Sequence, residues 1–266
     1  MDKTELFSTL NSGILAERGA AFRRNLEKNL PLIRKSGGLG PVIPMLKGRH
    51  VIIAGAGPSL DIHIPSLAGI SGDSRFILVA ADMALRPLVS RGITPDFVIT
   101  CEATPADFFS GIDTSPMHLL AFSCSSFSSI RKWTGRISFY NWMLEGDFFN
   151  SLMLAGNDMG FRERFYALET SRFARSHLKS GRFSPAAGIE MSICRNNRCY
   201  EIVRDNRTFF TNHQFLAARY WLDELFGREP FPVADCSFPG CSPSIVYKTG
   251  LDEYINTVKV KSEERL

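Results

Sequence analysis

A short apolar run, Val51-Ile52-Ile53-Ala54, passes directly into Gly55-Ala56-Gly57-Pro58-Ser59-Leu60-Asp61, and a strand that ends in two glycines and a helix start is laid out to hold an anion. Gly55 and Gly57 let the backbone turn sharply and approach a ligand with no Cβ in the way. Pro58 suits the first position of a helix, where its missing N–H costs nothing. The N–H groups of Ser59 and Leu60 would then face a phosphate from the positive end of the helix dipole. The pattern is not the dinucleotide fingerprint, because Leu60 stands where a third glycine is needed, and no GK[ST] follows to make a P-loop. Taken alone, the run reads equally as a tight strand-to-helix turn without a ligand.

Other candidate groups lie just after apolar runs. Asp82 follows Phe76-Ile77-Leu78-Val79-Ala80-Ala81 and either N-caps a helix or accepts a hydrogen bond from a ribose or cytosine. Glu102 and Thr104 follow Phe97-Val98-Ile99-Thr100-Cys101, and Glu102 reads as a ligand of Mg²⁺ or a ribose, or as a solvated loop acid. Asn157 and Asp158 follow Leu152-Met153-Leu154-Ala155, and Asp158 reads as a catalytic base or as the cap of the next helix. Asp96, after a proline, closes a turn. Converging carboxylates beside a phosphate repel one another, which makes Mg²⁺, held by Glu102 and Asp158, the natural neutraliser. Among five histidines, His177 is the general-base candidate near neutral pH, against a structural role.

The elements that must position these groups alternate. Residues 51 to 101 read β-α-β-α-β, the second helix carrying Leu85, Leu88 and Val89 at helical spacing and stopping at Gly92. Near-continuous apolar strands imply a parallel sheet buried on both faces, with ligands outside the carboxyl ends of its strands. The expected fold is α/β, a Rossmann-like, mostly parallel sheet with helices on both faces. Residues 1–48 form an N-terminal helical extension, with Phe22, Leu26, Leu30 and Ile33 on one face that packs on the core or meets a partner. The nucleotide-binding core runs over 49–178, and a C-terminal hairpin-plus-helix region over 179–266. There, Ile189 to Cys194 and Cys199 to Val203 flank an Asn-Asn turn as a hairpin, Arg207 to Thr211 adds a strand, and a helix runs from Asn212 to Phe226 with Gly227 as its stop.

The strings GAGPSLD, AADMALRPLVSRGITPDFVIT and LMLAGNDMGF together resemble the family that joins motility-associated-factor flagellin glycosyltransferases to hydroxymethylpterin diphosphokinases (MptE-like). The G-x-G-P-S-L turn also resembles the nucleotide-binding loop of bacterial sialyltransferases that use CMP-sialic acid. The resemblance implies a nucleotide-binding transferase in which Gly55, Ala56, Gly57, Pro58, Ser59, Leu60, Asp82, Glu102, Thr104 and Asn157 line the nucleotide, and Asp158 and His177 are the catalytic candidates. In the flagellar branch the reaction moves a nonulosonic acid from its CMP donor to flagellin Ser or Thr. In the archaeal branch it moves diphosphate from ATP to a pterin alcohol. The flagellar reading leads, because the N-terminal helix and the C-terminal segment around Tyr220-Trp221-Leu222 resemble the extensions of that branch.

Composition fits a globular protein. A chain of 266 residues can bury one large core, and 44% hydrophobic with 22% charged residues is ordinary usage. A net charge of +4, with its one concentration at Arg162, Arg164, Arg172, Arg175, Lys179 and Arg182, suits an anionic nucleotide and is too weak for a nucleic acid. No signal-peptide pattern and no membrane span is visible, so a cytoplasmic location is expected. Six cysteines without tight pairs fit a reducing compartment. Cys194-x4-Cys199 and Cys236-x4-Cys241 have a spacing zinc could use, but their turn and Pro/Gly settings favour unligated thiols.

One spacing argues against catalysis. The strand from Arg136 to Trp142 and the strand from Leu152 leave about nine residues between them, fewer than the dozen or so a right-handed parallel crossover needs. Strand 136–142 is therefore expected to pair antiparallel or lie off the sheet, or the chain carries an internal deletion where relatives have a helix. An open pocket, an exposed edge at Phe139 to Trp142 and a homo-oligomer follow. A degenerate, non-catalytic nucleotide-binding or scaffold protein is the third reading.

Overall fold

The computed structural model describes residues 3–36, 38–141, 150–178, 180–204, 206–228, 231–238 and 246–263. In chain order its elements are α1 (Lys3–Ser36), α2 (Ile43–Leu46), β1 (His50–Ala54), α3 (Leu60–Ala68), β2 (Phe76–Ala81), α4 (Asp82–Val89), β3 (Phe97–Thr100), β4 (His118–Phe122), α5 (Phe127–Ile130) and β5 (Arg136–Tyr140). They continue with β6 (Ser151–Ala155), α6 (Ser171–His177), α7 (Ala186–Asn196), β7 (Tyr200–Arg204), β8 (Arg207–Thr211), α8 (His213–Phe226), β9 (Val233–Asp235), β10 (Tyr247–Lys248) and α9 (Leu251–Glu263).

Eight strands form one sheet in the order β10-β9-β6-β1-β2-β3-β4-β5, and every neighbouring pair is parallel. The fold is α/β and Rossmann-like, with the small antiparallel hairpin β7–β8 beside the sheet. The strands read as unbroken apolar runs because both faces are covered. On one face Ile52, Leu78 and Met153 pack with Leu60, Leu67, Leu85 and Leu88 of α3 and α4. On the other, Val51, Val79, Leu152 and Leu154 pack with Val42 and Phe97. Chain order reverses at β1, whose neighbours are β2 and β6. That switch point opens a crevice at the carboxyl ends, the usual ligand position in such sheets.

Several expectations are corrected. Strand β5 is neither antiparallel nor off the sheet, since it pairs parallel with β4 from Arg136 opposite His118 to Tyr140 opposite Phe122. It is the edge strand, whereas β6 lies beside β1. Phe139, expected at an exposed edge, is buried. Trp142 and nearly all of the 143–151 segment lie outside the described residues. Residues 189–194 belong to helix α7, and the hairpin is formed instead by Tyr200–Arg204 and Arg207–Thr211. The chain beyond residue 178 also adds β9 and β10 to the core sheet.

The packing of α1 differs from its apolar pattern. Leu26 and Leu30 are 37% and 39% exposed, while Asn25 and Asn29 are buried. Asn29 Nδ2 donates to the Ser123 and Ser125 carbonyls, both at 2.9 Å. Asn25 Nδ2 donates to those of Ala103 (2.8 Å) and Cys124 (3.1 Å). Two amides one helical turn apart thus satisfy the loop carbonyls at the carboxyl ends of β3 and β4, a demand that burial makes compulsory. Hydrophobic periodicity does not register that demand.

Candidate functional site

The glycine turn leaves β1 alongside the turn that leaves β6. Gly55 N donates to Ala155 O at 2.7 Å and Gly57 N to Gly156 O at 2.8 Å. A Cβ on Gly57 would overlap the Asp158 carboxylate and the Gly156 carbonyl, and one on Gly55 would overlap Gly156. Close approach of two backbones is therefore what the glycines permit here. Pro58 precedes the helix rather than opening it, and Ser59 is the N-cap of α3.

Asp158 does not cap a following helix. Its Oδ2 accepts from Ser59 N at 2.8 Å, and its Oδ1 accepts from Ser59 Oγ at 2.5 Å and from Phe238 N at 3.0 Å. The carboxylate occupies the place at the α3 N-terminus that an external anion would take. Burial raises the Asp158 pKa, against the bonds from Ser59 and Phe238, and the nearby Asp235 adds to the rise. Leu60 N donates to Gly57 O, Ala56 O accepts from Ala167 N, and Asn157 N donates to Ser237 Oγ. On the β9 side, the buried Asp235 is held by Lys248 Nζ at 2.6 Å.

A second group forms on the β2–β3 side. Asp82 is the first residue of α4 rather than its cap. Its Oδ2 accepts from Thr100 Oγ1 at 2.6 Å and its Oδ1 from Met83 N at 2.7 Å. Burial pushes its pKa up to about 6, opposed by those two bonds and reinforced by the neighbouring charge of Glu102. Glu102 Oε1 accepts from Thr104 N (3.0 Å) and Thr104 Oγ1 (2.7 Å). Arg18 of α1 lies 3.3 Å from its carboxylate and Arg172 of α6 lies 3.8 Å from it. Burial opposes the Glu102 charge, but these donors and cations outweigh it and hold the pKa below the usual value. Cys101, between the two acids, has its thiol pushed up to about 11 by burial and by both carboxylates.

The sequence-derived set therefore divides. Asp82, Glu102 and Thr104 come together, and Gly55 to Leu60, Asn157 and Asp158 form the adjacent switch-point wall. His177 joins neither: it stacks on Phe173 with ring centroids 4.1 Å apart, and its Nε2 lies 3.4 Å from Glu190 Oε1. Glu102 and Asp158 do not fit a shared Mg²⁺ site, because the first is neutralised by two arginines and the second is consumed by hydrogen-bond donors. Among the described residues no cluster of three or more His, Cys, Asp or Glu side chains forms a metal-holding group. The described cysteines, Cys194, Cys199 and Cys236 among them, are free thiols, and Cys241 lies outside the described residues. Sequence reasoning missed Arg18 and the Asn25/Asn29 pair; the i, i+4 repeat of two asparagines in a helix was the available signal.

The family model for 6-hydroxymethylpterin diphosphokinase MptE-like proteins matches residues 24–161. Among solved structures, the Maf glycosyltransferase from Magnetospirillum magneticum AMB-1 aligns with a TM-score of 0.53 and 16% identity, over 81% of this chain and 36% of that chain. The chain thus spans little more than a third of that neighbour, and the likeness is one of fold. No curated protein matches, and among the described residues no helix is long and apolar enough to cross a membrane. The family match covers more than half of the 266 residues, and the chain belongs to the MptE-like family.

Proposed function

We propose that this protein is a nucleotide-dependent transferase whose donor lies in the crevice at the carboxyl ends of β1 to β3, with Asp82 as the base that takes the proton of an acceptor hydroxyl. The observation that carries this reading is the position of the Asp82 carboxylate, held by Thr100 and Met83 beside Glu102 at the strand end next to the switch point, where burial pushes its pKa up to about 6. A base titrating near the working pH combines ionisation with proton affinity. The acceptor oxygen bonds to the reacting centre of the donor as its proton passes to Asp82, and the bond to the nucleotide phosphate breaks with its electron pair leaving on the nucleotide. Arg172 and Arg18, held by Glu102, balance the negative charge beside Asp82.

A donor with one phosphate suits this site better than a triphosphate, because Glu102 is already neutralised by arginine and Asp158 is occupied by hydrogen-bond donors, which leaves neither to hold a cation. We therefore favour transfer of a nonulosonic acid from its CMP donor to a protein hydroxyl, with flagellin Ser/Thr as the acceptor. Diphosphate transfer from ATP to a pterin alcohol, with Mg²⁺ brought in by the nucleotide, is the alternative that the family name supports. In either case the turn Gly55 to Leu60 and Asn157 act as shaped backbone walls. A cytoplasmic location belongs to the same reading.

Calorimetric titration with CMP, CDP, ATP and GTP, with and without Mg²⁺, tests it together with a transfer assay. CMP binding independent of Mg²⁺, and transfer lost in Asp82→Asn with binding kept, are expected. ATP-only binding that needs Mg²⁺ would select the diphosphokinase. Absence of binding by every nucleotide would leave the non-catalytic scaffold.

A further inference from the structure

The segment after β6 is tied down on three sides. Phe161 exchanges backbone hydrogen bonds with Phe210 of β8 (2.9 and 2.7 Å), Ala167 N donates to Ala56 O of the glycine turn (3.0 Å), and Arg164 Nη1 donates to Asp61 Oδ2 of α3 (2.9 Å). Between this segment, the hairpin and Pro58 lies a cavity of about 160 Å³. Its wall carries Arg162, Arg164 and Arg207, with Glu163 as the one acid, and it has an aromatic side made by the buried Phe209 and by Phe238. The Phe238 amide is bound to Asp158, so the cavity adjoins the switch point.

Arg164 is pinned by Asp61, but among the described residues neither Arg162 nor Arg207 has a carboxylate within ion-pair distance. Three arginines against one acid line this small space, and an anion among them offsets that excess of positive charge. Their planar forks match phosphate oxygens in pairs. The glycine turn, in contrast, presents its Ser59 amide to Asp158.

We infer that the Arg162–Arg164–Arg207 cavity is a phosphate-binding subsite, sized for a phosphate or diphosphate group with the rest of its carrier outside. Only the identity of that carrier, the donor nucleotide, rests on the transferase reading. The glycine turn then serves as scaffold, and the phosphate contacts come from side chains.

Inorganic diphosphate is the probe, titrated calorimetrically into the full chain at two salt concentrations. Saturable binding that weakens with salt is expected, with an affinity at least about tenfold lower in Arg162→Ala/Arg207→Ala. Both residues are exposed, so the variant should melt as the parent does. Arg162→Lys/Arg207→Lys, which keeps charge but not the fork, should fall between the two, and Glu163→Gln should bind a few-fold tighter. No saturable binding, or equal binding by the parent and the alanine double variant, overturns the subsite. Arginine-dependent diphosphate binding without nucleotide binding keeps the subsite and removes the transferase reading. Nucleotide binding indifferent to the two arginines does the reverse.

Discussion

The carboxylate of Asp158, leaving β6, holds both the backbone amide and the hydroxyl of Ser59, the N-cap of α3. A helix terminus that would suit a phosphate is thereby satisfied from within the chain, and the two turns that meet at the switch point are locked together.

Asp158→Ala should destabilise the protein by about 2–4 kcal/mol, because it strands the buried Ser59 amide and the Phe238 amide without an acceptor. Asp158→Asn, which keeps one acceptor oxygen, should cost roughly half as much. Urea unfolding measures both. Unchanged stability with stronger nucleotide binding would show instead that the carboxylate stands in for a ligand's phosphate.

Gly57→Ala should lower the melting temperature whether or not a nucleotide is present. The new methyl meets the Asp158 carboxylate and the Gly156 carbonyl, and overpacking against fixed backbone costs on the order of 1–3 kcal/mol. Thermal melts with and without CMP check this. Lost CMP affinity at an unaltered melting temperature would place the ligand in the turn itself.

Asp82 gives a pH signature of definite sign. Its folded-state pKa, about 6, lies above the ordinary aspartate value of 3.8, so between those values the folded state holds the extra proton. Stability should fall as pH rises through that window, by on the order of 2–3 kcal/mol in all, and level off above it. Melting curves from pH 4 to 7 should show this slope in the parent but not in Asp82→Asn. Transfer by the parent should drop about tenfold per unit below pH 6 as the base is protonated. Glu102→Gln removes the neighbouring charge, so the activity limb should move to lower pH while stability changes by less than about 1 kcal/mol, its arginine partners being half-exposed.

Asn29→Ala should cost about 2–3 kcal/mol, since it leaves the Ser123 and Ser125 carbonyls without their donor, and Leu30→Ala less than about 1 kcal/mol. Chemical denaturation of the two variants side by side measures the difference. The reverse ranking would mean that α1 docks through its leucines.

The sequence by itself determined the alternation of strands and helices from 51 to 101, the parallel sheet, the family and the strand-end positions of Asp82, Glu102 and Asp158. Those features follow from local periodicity and from residue types adjacent in the chain. Tertiary structure alone decided what each group faces. Asp158 and Ser59 are far apart in sequence and meet only because β6 pairs with β1. The place of β5 at the sheet edge turned on strand order, which spacing does not encode, and residues 189–194 form part of α7 while the hairpin pairs 200–204 with 207–211. Arg18 reaches the Glu102 carboxylate across the fold, and two asparagines replace a leucine face because buried loop carbonyls must find donors wherever the fold supplies them. Hydrophobic patterning reports which face is apolar, whereas hydrogen-bond satisfaction is settled only once the chain has closed on itself.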